Sequence, residues 1–120
     1  LAAIREAEEH HGPSLIVAYA PCINHGIVKG MGYSQAEAKL AVDSGYWFLF
    51  RYKPELKEEG KNPFILDSKA PSVPLDDFLM GEVRYASLKR TFPDQADALM
   101  EAARKNSAER YNKYLQLSQR

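Results

Sequence analysis

The feature that most constrains this chain is a run of six residues, SLIVAY, at positions 14–19. Ile16 and Val17 lie at its centre and neither face is polar, the pattern expected of a strand covered on both sides, as in a parallel sheet. Residues 1–10 ahead of it carry Leu1, Ile4 and Ala7 or Ala3 at helical spacing, with no capping residue before them. Gly12 and Pro13 should stop that helix, since glycine tolerates a left-handed exit and proline cannot continue the hydrogen-bond ladder. A helix running into a doubly covered strand is the second half of a βαβ crossover, so its first strand is expected upstream. A chain that opens inside a helix, without an initiator methionine, is expected to be part of a longer polypeptide.

The expected fold class is therefore α/β, a partial parallel sheet with an aromatic hairpin and a C-terminal helical tail. After the strand comes a loop, Ala20-Pro21-Cys22-Ile23-Asn24-His25-Gly26. Ser34-Gln35-Ala36-Glu37 has the form of a capping box opening a helix to about Ser44, which Gly45 should end. Residues 46–52 (YWFLFRY) and 64–67 (FILD) predict two strands that can pair as a hairpin across the turn-forming residues 59–63. The cluster KAPSVPL at 69–75, with two prolines, predicts a linker. A helix is expected from about Asp76, with Leu79, Val83 and Ala86 on one face. A longer one should run from about Pro93 to Leu117. On it Ala96, Leu99, Met100, Ala103, Tyr111, Tyr114 and Leu115 form the apolar stripe, and Glu101, Arg104, Lys105, Glu109 and Lys113 the wet side. The chain divides into an α/β unit at 1–45, a hairpin and linker at 46–75, and a helical tail at 76–120.

Composition narrows the classes of partner. Sixteen basic and sixteen acidic residues give no net charge, which removes the global electrostatic case for nucleic acid or an anionic membrane. No stretch approaches the roughly 18 apolar residues of a membrane span. The single cysteine cannot close an intrachain disulfide, which fits a reducing compartment, by default the cytoplasm.

A parallel strand would deliver Cys22 and its neighbours to the carboxyl rim of the sheet, where open α/β folds bind ligands. The local pattern is Cys-x-x-His, and three readings of it stay open. In one, Cys22 fills space and His25 bonds nearby backbone. In another, Cys22 and His25 form a nucleophilic pair oriented by Asn24, Asp43 or Asp67. In the third, Cys22 is a metal ligand whose companions come from elsewhere, because zinc or a four-iron cluster normally needs four protein ligands. The aromatic residues Trp47, Phe48, Phe50 and Tyr52 are expected in a core or interface. Arg51, and Arg84 with Tyr85, are expected in ion pairs or on rings, with an acidic partner as the other role. His10 and His11 suit the negative end of a helix. No GxxxxGK[ST] or GxGxxG loop is present. A small Cys/His enzyme and a non-catalytic interaction module, built on the aromatic strand and long helix, are the competing functions.

Four stretches in order, REAEEHHGPSLIVAYAPCINHGI, SGYWFLFRYKPEL, GKNPFILDSKAP and DDFLMGEVRYASL, closely resemble the end of the pyruvate:ferredoxin (flavodoxin) oxidoreductases. The resemblance implies the end of a thiamine diphosphate-binding domain within a large, multidomain, homodimeric enzyme. It further implies oxidative decarboxylation of pyruvate on thiamine diphosphate with Mg, electron transfer through iron–sulfur clusters to ferredoxin or flavodoxin, and acetyl transfer to coenzyme A. In that family one ligand of the 4Fe-4S cluster nearest the thiamine lies in the APC-containing loop, and Cys22 matches it. Asn24, His25 and Gly26 would surround the ligand and tune the cluster. The other three cysteines and the thiamine and magnesium motif would lie upstream of Leu1. No catalytic residue is therefore expected in this stretch, which should be inactive and cofactor-free alone.

Overall fold

A computed structural model describes all 120 residues. Helix α1 (Ala2–Glu9) forms where the helical spacing predicts it, yet none of its residues is buried. Its tie to the remainder is polar. Arg51 of the hairpin pairs with Glu6 and, through two 2.8 Å hydrogen bonds, with Asp67. His10 pairs with Glu55 rather than serving only the helix terminus.

Residues 14–19, expected as a strand paired with upstream sequence, form no strand within this chain, and the one sheet present is two-stranded and antiparallel. Their backbone makes no hydrogen bond to other backbone, and Leu15 is 88% exposed. The physical reason is the pattern that suggested the strand. A segment apolar on both faces gains little from the one face offered here, and no strand of the chain pairs with it to take its amides.

After a 3₁₀ turn (Met31–Tyr33), helix α2 (Ser34–Asp43) follows, and here the capping box does not form. Ser34 is already helical and its hydroxyl donates backwards to Met31 O (2.6 Å), while Glu37 turns into the protein. Gly45 ends the helix as expected, at φ 80°; a Cβ there would meet Pro71 Cγ at 2.8 Å and Ser107 Oγ at 3.0 Å. Both the backbone conformation and the space require glycine.

Strands β1 (Phe50–Tyr52) and β2 (Phe64–Leu66) pair antiparallel with Arg51 opposite Ile65, the hairpin the aromatic stretch predicts. Residues 46–49 remain outside the strand, and the connection holds a short helix, α3 (Glu55–Glu58), that the turn chemistry did not reveal. The single helix expected from Asp76 is three short ones: α4 (Leu75–Leu79), α5 (Val83–Ala86) and α6 (Leu88–Thr91). Glycine at 81 and extended backbone at Glu82 interrupt it, because Glu82 forms an isolated antiparallel bridge with Ile27.

Helix α7 (Pro93–Ser118) closes the molecule, opened by proline in its first turn. Ala96 and Met100 are buried, and Tyr114 packs on Phe50 (5.0 Å) and Phe64 (6.1 Å) of the hairpin. The main core joins Ala41, Leu75, Phe78, Leu79 and Met100, flanked by Tyr19, Tyr46 and Trp47. The chain is α/β, with helices around a two-stranded antiparallel sheet. It measures 53 × 29 × 23 Å with a radius of gyration of 17.0 Å, against about 14 Å for a compact domain of this length. Its surface of 8704 Å² likewise exceeds the roughly 6,600 Å² of a compact monomer of this mass. Exposed apolar side chains concentrate in residues 1–28, at Leu1, Ile4, Leu15, Ile16, Val17, Ile23 and Val28, with others in the aromatic stretch at Leu49, Phe50 and Tyr52.

Candidate functional site

The loop at residues 20–26 is held through its backbone. The Gly26 amide reaches back to the carbonyls of Cys22 and Ile23 (both 3.2 Å), which closes a tight turn around Asn24 and His25. Gly26 sits at φ 78°, and a Cβ there would come within 2.9 Å of Val83. Only glycine allows this turn to seat against α5. Beyond it the Val28 amide donates to Gly81 O (2.9 Å) and the Val83 amide to Gly26 O (3.0 Å).

Cys22 is a free, exposed cysteine at the outer side of the turn. Asn24 and His25 are exposed as well, and no side-chain hydrogen bond ties any of the three to the rest of the chain. The structure thus brings all four predicted site residues into one turn without a contact that activates the thiol. The acids considered as orienting groups are committed elsewhere, Asp67 to Arg51 and Asp43 to Lys39. No group of three or more His, Cys, Asp or Glu side chains gathers as a metal site. An exposed cysteine on a backbone-held turn is free to serve as one contributed ligand, and zinc or a four-iron cluster normally takes four protein ligands.

Behind the turn lies a buried polar cluster that the sequence did not single out. The Tyr19 hydroxyl, at the end of the unpaired apolar run, donates to Glu82 Oε1 (3.3 Å). Burial first, and then the Glu82 carboxylate, push the Tyr19 phenol well above its ordinary range. Glu82 is only 1% exposed, with Arg84 Nε 3.9 Å from its carboxylate. Arg84 Nη2 donates to the Tyr46 hydroxyl (3.0 Å), which in turn shares a 2.9 Å hydrogen bond with Tyr85. Burial and that bond push the Tyr85 phenol up to about 12. Glu37 enters from α2, buried at 6% exposure, with Oε1 lacking a hydrogen-bond partner and lying against Gly81. Burial and then the neighbouring Glu82 charge raise its carboxyl, partly opposed by Lys29. Glu37 shares a helical face with Leu40, Ala41 and Ser44, and that spacing was the one signal pointing it inward. Arg84 also stacks over the Tyr85 ring at 4.7 Å, as expected from the sequence.

No family model matches the chain. Among curated proteins it is 56% identical over 117 residues to the pyruvate:ferredoxin oxidoreductase of Moorella thermoacetica, a match spanning 98% of the chain. It is 55% identical over 118 residues, again 98% of the chain, to the pyruvate-flavodoxin oxidoreductase of Enterobacter agglomerans. The chain belongs to the pyruvate:ferredoxin (flavodoxin) oxidoreductase family. It spans about a tenth of the length of these relatives, 10% of each. The mitochondrial pyruvate dehydrogenase [NADP(+)] of Euglena gracilis, 47% identical over 109 residues, shares 91% of the chain across 6% of its own length. These three relatives, named for ferredoxin, flavodoxin and NADP(+), match the segment at 56%, 55% and 47% identity. No helix of the chain is long and apolar enough to cross a membrane.

Proposed function

We propose that this chain is the C-terminal part of a pyruvate:ferredoxin (flavodoxin) oxidoreductase and that its Cys22 turn contributes one ligand to the 4Fe-4S cluster beside thiamine diphosphate. The observation that carries the reading is an identity of 53–56% over 98% of the chain, combined with one exposed, uncommitted cysteine on a glycine-closed turn. The whole enzyme oxidatively decarboxylates pyruvate to acetyl-CoA and passes the electrons to ferredoxin or flavodoxin. A 4Fe-4S cluster supplies one-electron transfer at such a site. The residues of this chain hold the thiolate in place. Gly26 closes the turn, Ile27 and Val28 fix its exit on residues 81–83, and Asn24 and His25 carry exposed hydrogen-bonding side chains in the same turn.

The three further cysteines, the thiamine and magnesium motif and the substrate contacts belong to upstream domains of the same polypeptide. Residues 1–45 then form the end of the thiamine-domain unit, 46–75 the hairpin and linker, and 76–120 the helical tail. Within the whole homodimeric enzyme residues 14–19 add to a parallel sheet, and their exposed apolar faces support that placement. A groove of about 960 Å³ between α1, residues 13–17 and the aromatic stretch, with Leu15, Val17, Trp47 and Phe50 in its lining, supports packing of the upstream domain at this face. A lone reduced cysteine fits a cytoplasmic enzyme.

The test is Cys22→Ser in the whole enzyme, read by iron content and by the electron paramagnetic resonance of the reduced clusters. The expected result is loss or alteration of one cluster's signal and slowed electron transfer, with thiamine diphosphate still bound. Unchanged iron, spectrum and rates would remove Cys22 from the ligand set.

A further inference from the structure

Both flanks of the Cys22 turn are fastened to one three-residue segment, residues 81–83. Ahead of the turn, the Tyr19 hydroxyl donates to the Glu82 carboxylate (3.3 Å). Behind it, Ile27 bridges Glu82, the Val28 amide donates to Gly81 O (2.9 Å), and the Val83 amide donates to Gly26 O (3.0 Å). The fastening residue interrupts what would otherwise be a continuous helix from Leu75 to Ala86, with Glu82 at backbone angles φ −97° and ψ 120°. It also places a carboxylate among the most buried side chains of the protein, with Phe78 its only equal in size and burial. Burying a carboxylate is costly unless its partners are fixed, and an apolar residue of similar volume would serve packing better. What the carboxylate does here is accept the hydrogen bond from Tyr19, the last residue of the apolar run and the third before Cys22, and so fix where the run ends and the turn begins.

Resting on the reading of Cys22 as a cluster ligand, we propose that Glu82 is a positioning residue for Cys22, acting through Tyr19 on one side of the turn and through the Ile27 bridge on the other. The Tyr19 hydrogen bond is the side-chain half of this clamp, and the bridge is the backbone half. Removing the side-chain half frees the entry of the turn while the exit remains paired. Cys22 then samples a wider range of positions and holds its iron less tightly. Glu37 and Arg84 stand beside the carboxylate, and neither replaces Tyr19 as a donor from the segment that enters the turn.

The experiment uses the whole enzyme with Tyr19→Phe, Glu82→Ala, Glu82→Gln and, as reference, Cys22→Ser. Iron release to a chelator, the midpoint potential of each cluster and the thermal unfolding midpoint are measured on each. Tyr19→Phe and Glu82→Ala are expected to release iron from one cluster roughly 10-fold faster and to shift its potential alone, the scale seen when a ligand's supporting partner is lost. Glu82→Gln, whose amide oxygen still accepts from Tyr19, should restore retention. Tyr19→Phe removes a single oxygen, so its unfolding midpoint should stay near that of the parent and separates positioning from stability. Should Cys22→Ser abolish that cluster while Tyr19→Phe and Glu82→Ala leave release and potential unchanged, the clamp is wrong and the ligand assignment stands. Should Cys22→Ser also leave the cluster intact, both fall.

Discussion

Residues 1–28 and the packed body formed by α2, α4, the hairpin and α7 have similar apolar content and opposite fates. Phe78 is 0% exposed, between Tyr46 at 4.4 Å and Tyr19 at 6.4 Å, whereas Leu1 and Leu15 are almost fully open to solvent. In the body each apolar stripe finds a second element within the chain. Along residues 1–28 the polar ties are Arg51 with Glu6, His10 with Glu55 and Tyr19 with Glu82, and the Tyr19 ring also packs on the core. The difference teaches that hydrophobic pattern states what a segment needs to be covered by, and chain topology decides whether the cover is at hand.

The largest effect that sharpens this contrast is in the core. Phe78→Ala should destabilise the chain by about 3–5 kcal/mol in denaturant titration, the range for emptying a buried aromatic site. Leu15→Ala should change the chain alone by less than about 0.5 kcal/mol, as at an exposed position. In the whole enzyme the same Leu15→Ala should cost about 2–5 kcal/mol, the scale of a buried leucine. Equal and small effects of Leu15→Ala in both settings would break the contrast, since the apolar run would then be uncovered everywhere.

The smaller effect concerns pH. Burial and the Glu82 charge hold the Glu37 carboxyl above its ordinary 4.5, so the folded chain keeps a proton that the unfolded chain has already released. Its contribution is complete below the unfolded value and is lost as pH rises through the raised folded value. Glu37→Gln, which carries an amide in place of the protonated acid, should flatten the fall in stability with pH. Urea midpoints between about pH 4 and about pH 8 measure it, and an identical slope in parent and variant would show that Glu37 is not the group responsible.

Local chemistry made α1, α2, the hairpin and α7 legible, because each depends on spacing within one segment: Gly45 at the end of α2, Pro93 at the start of α7, the aromatic alternation around Arg51. The doubly apolar residues 14–19 predict a strand whose partner lies upstream, and none forms within the chain because a strand is a property of pairs and only one member is present. The helix expected through Val83 failed for a related reason. The Gly81 carbonyl and the Val83 amide bond Val28 and Gly26 in place of helical partners, around a bridge between Glu82 and Ile27 more than fifty positions away. Glu37 looked like the fourth residue of a capping box, yet its neighbours Leu40 and Ala41 carry it inward. The Cys22 turn was legible from its glycine and its place after the apolar run. The tyrosines and carboxylates behind it were not, because their partners are distant in sequence.

The central claim is that residues 14–19 form a strand once the rest of the enzyme covers them, and so carry Cys22 to its site. Amide hydrogen exchange at Leu15, Ile16, Val17 and Ala18, compared between this chain alone and the whole enzyme, tests it most directly. The account predicts rapid exchange in the isolated chain, where these amides have no backbone partner, and strong protection in the whole enzyme. Exchange as rapid in the whole enzyme as in the isolated chain would contradict it.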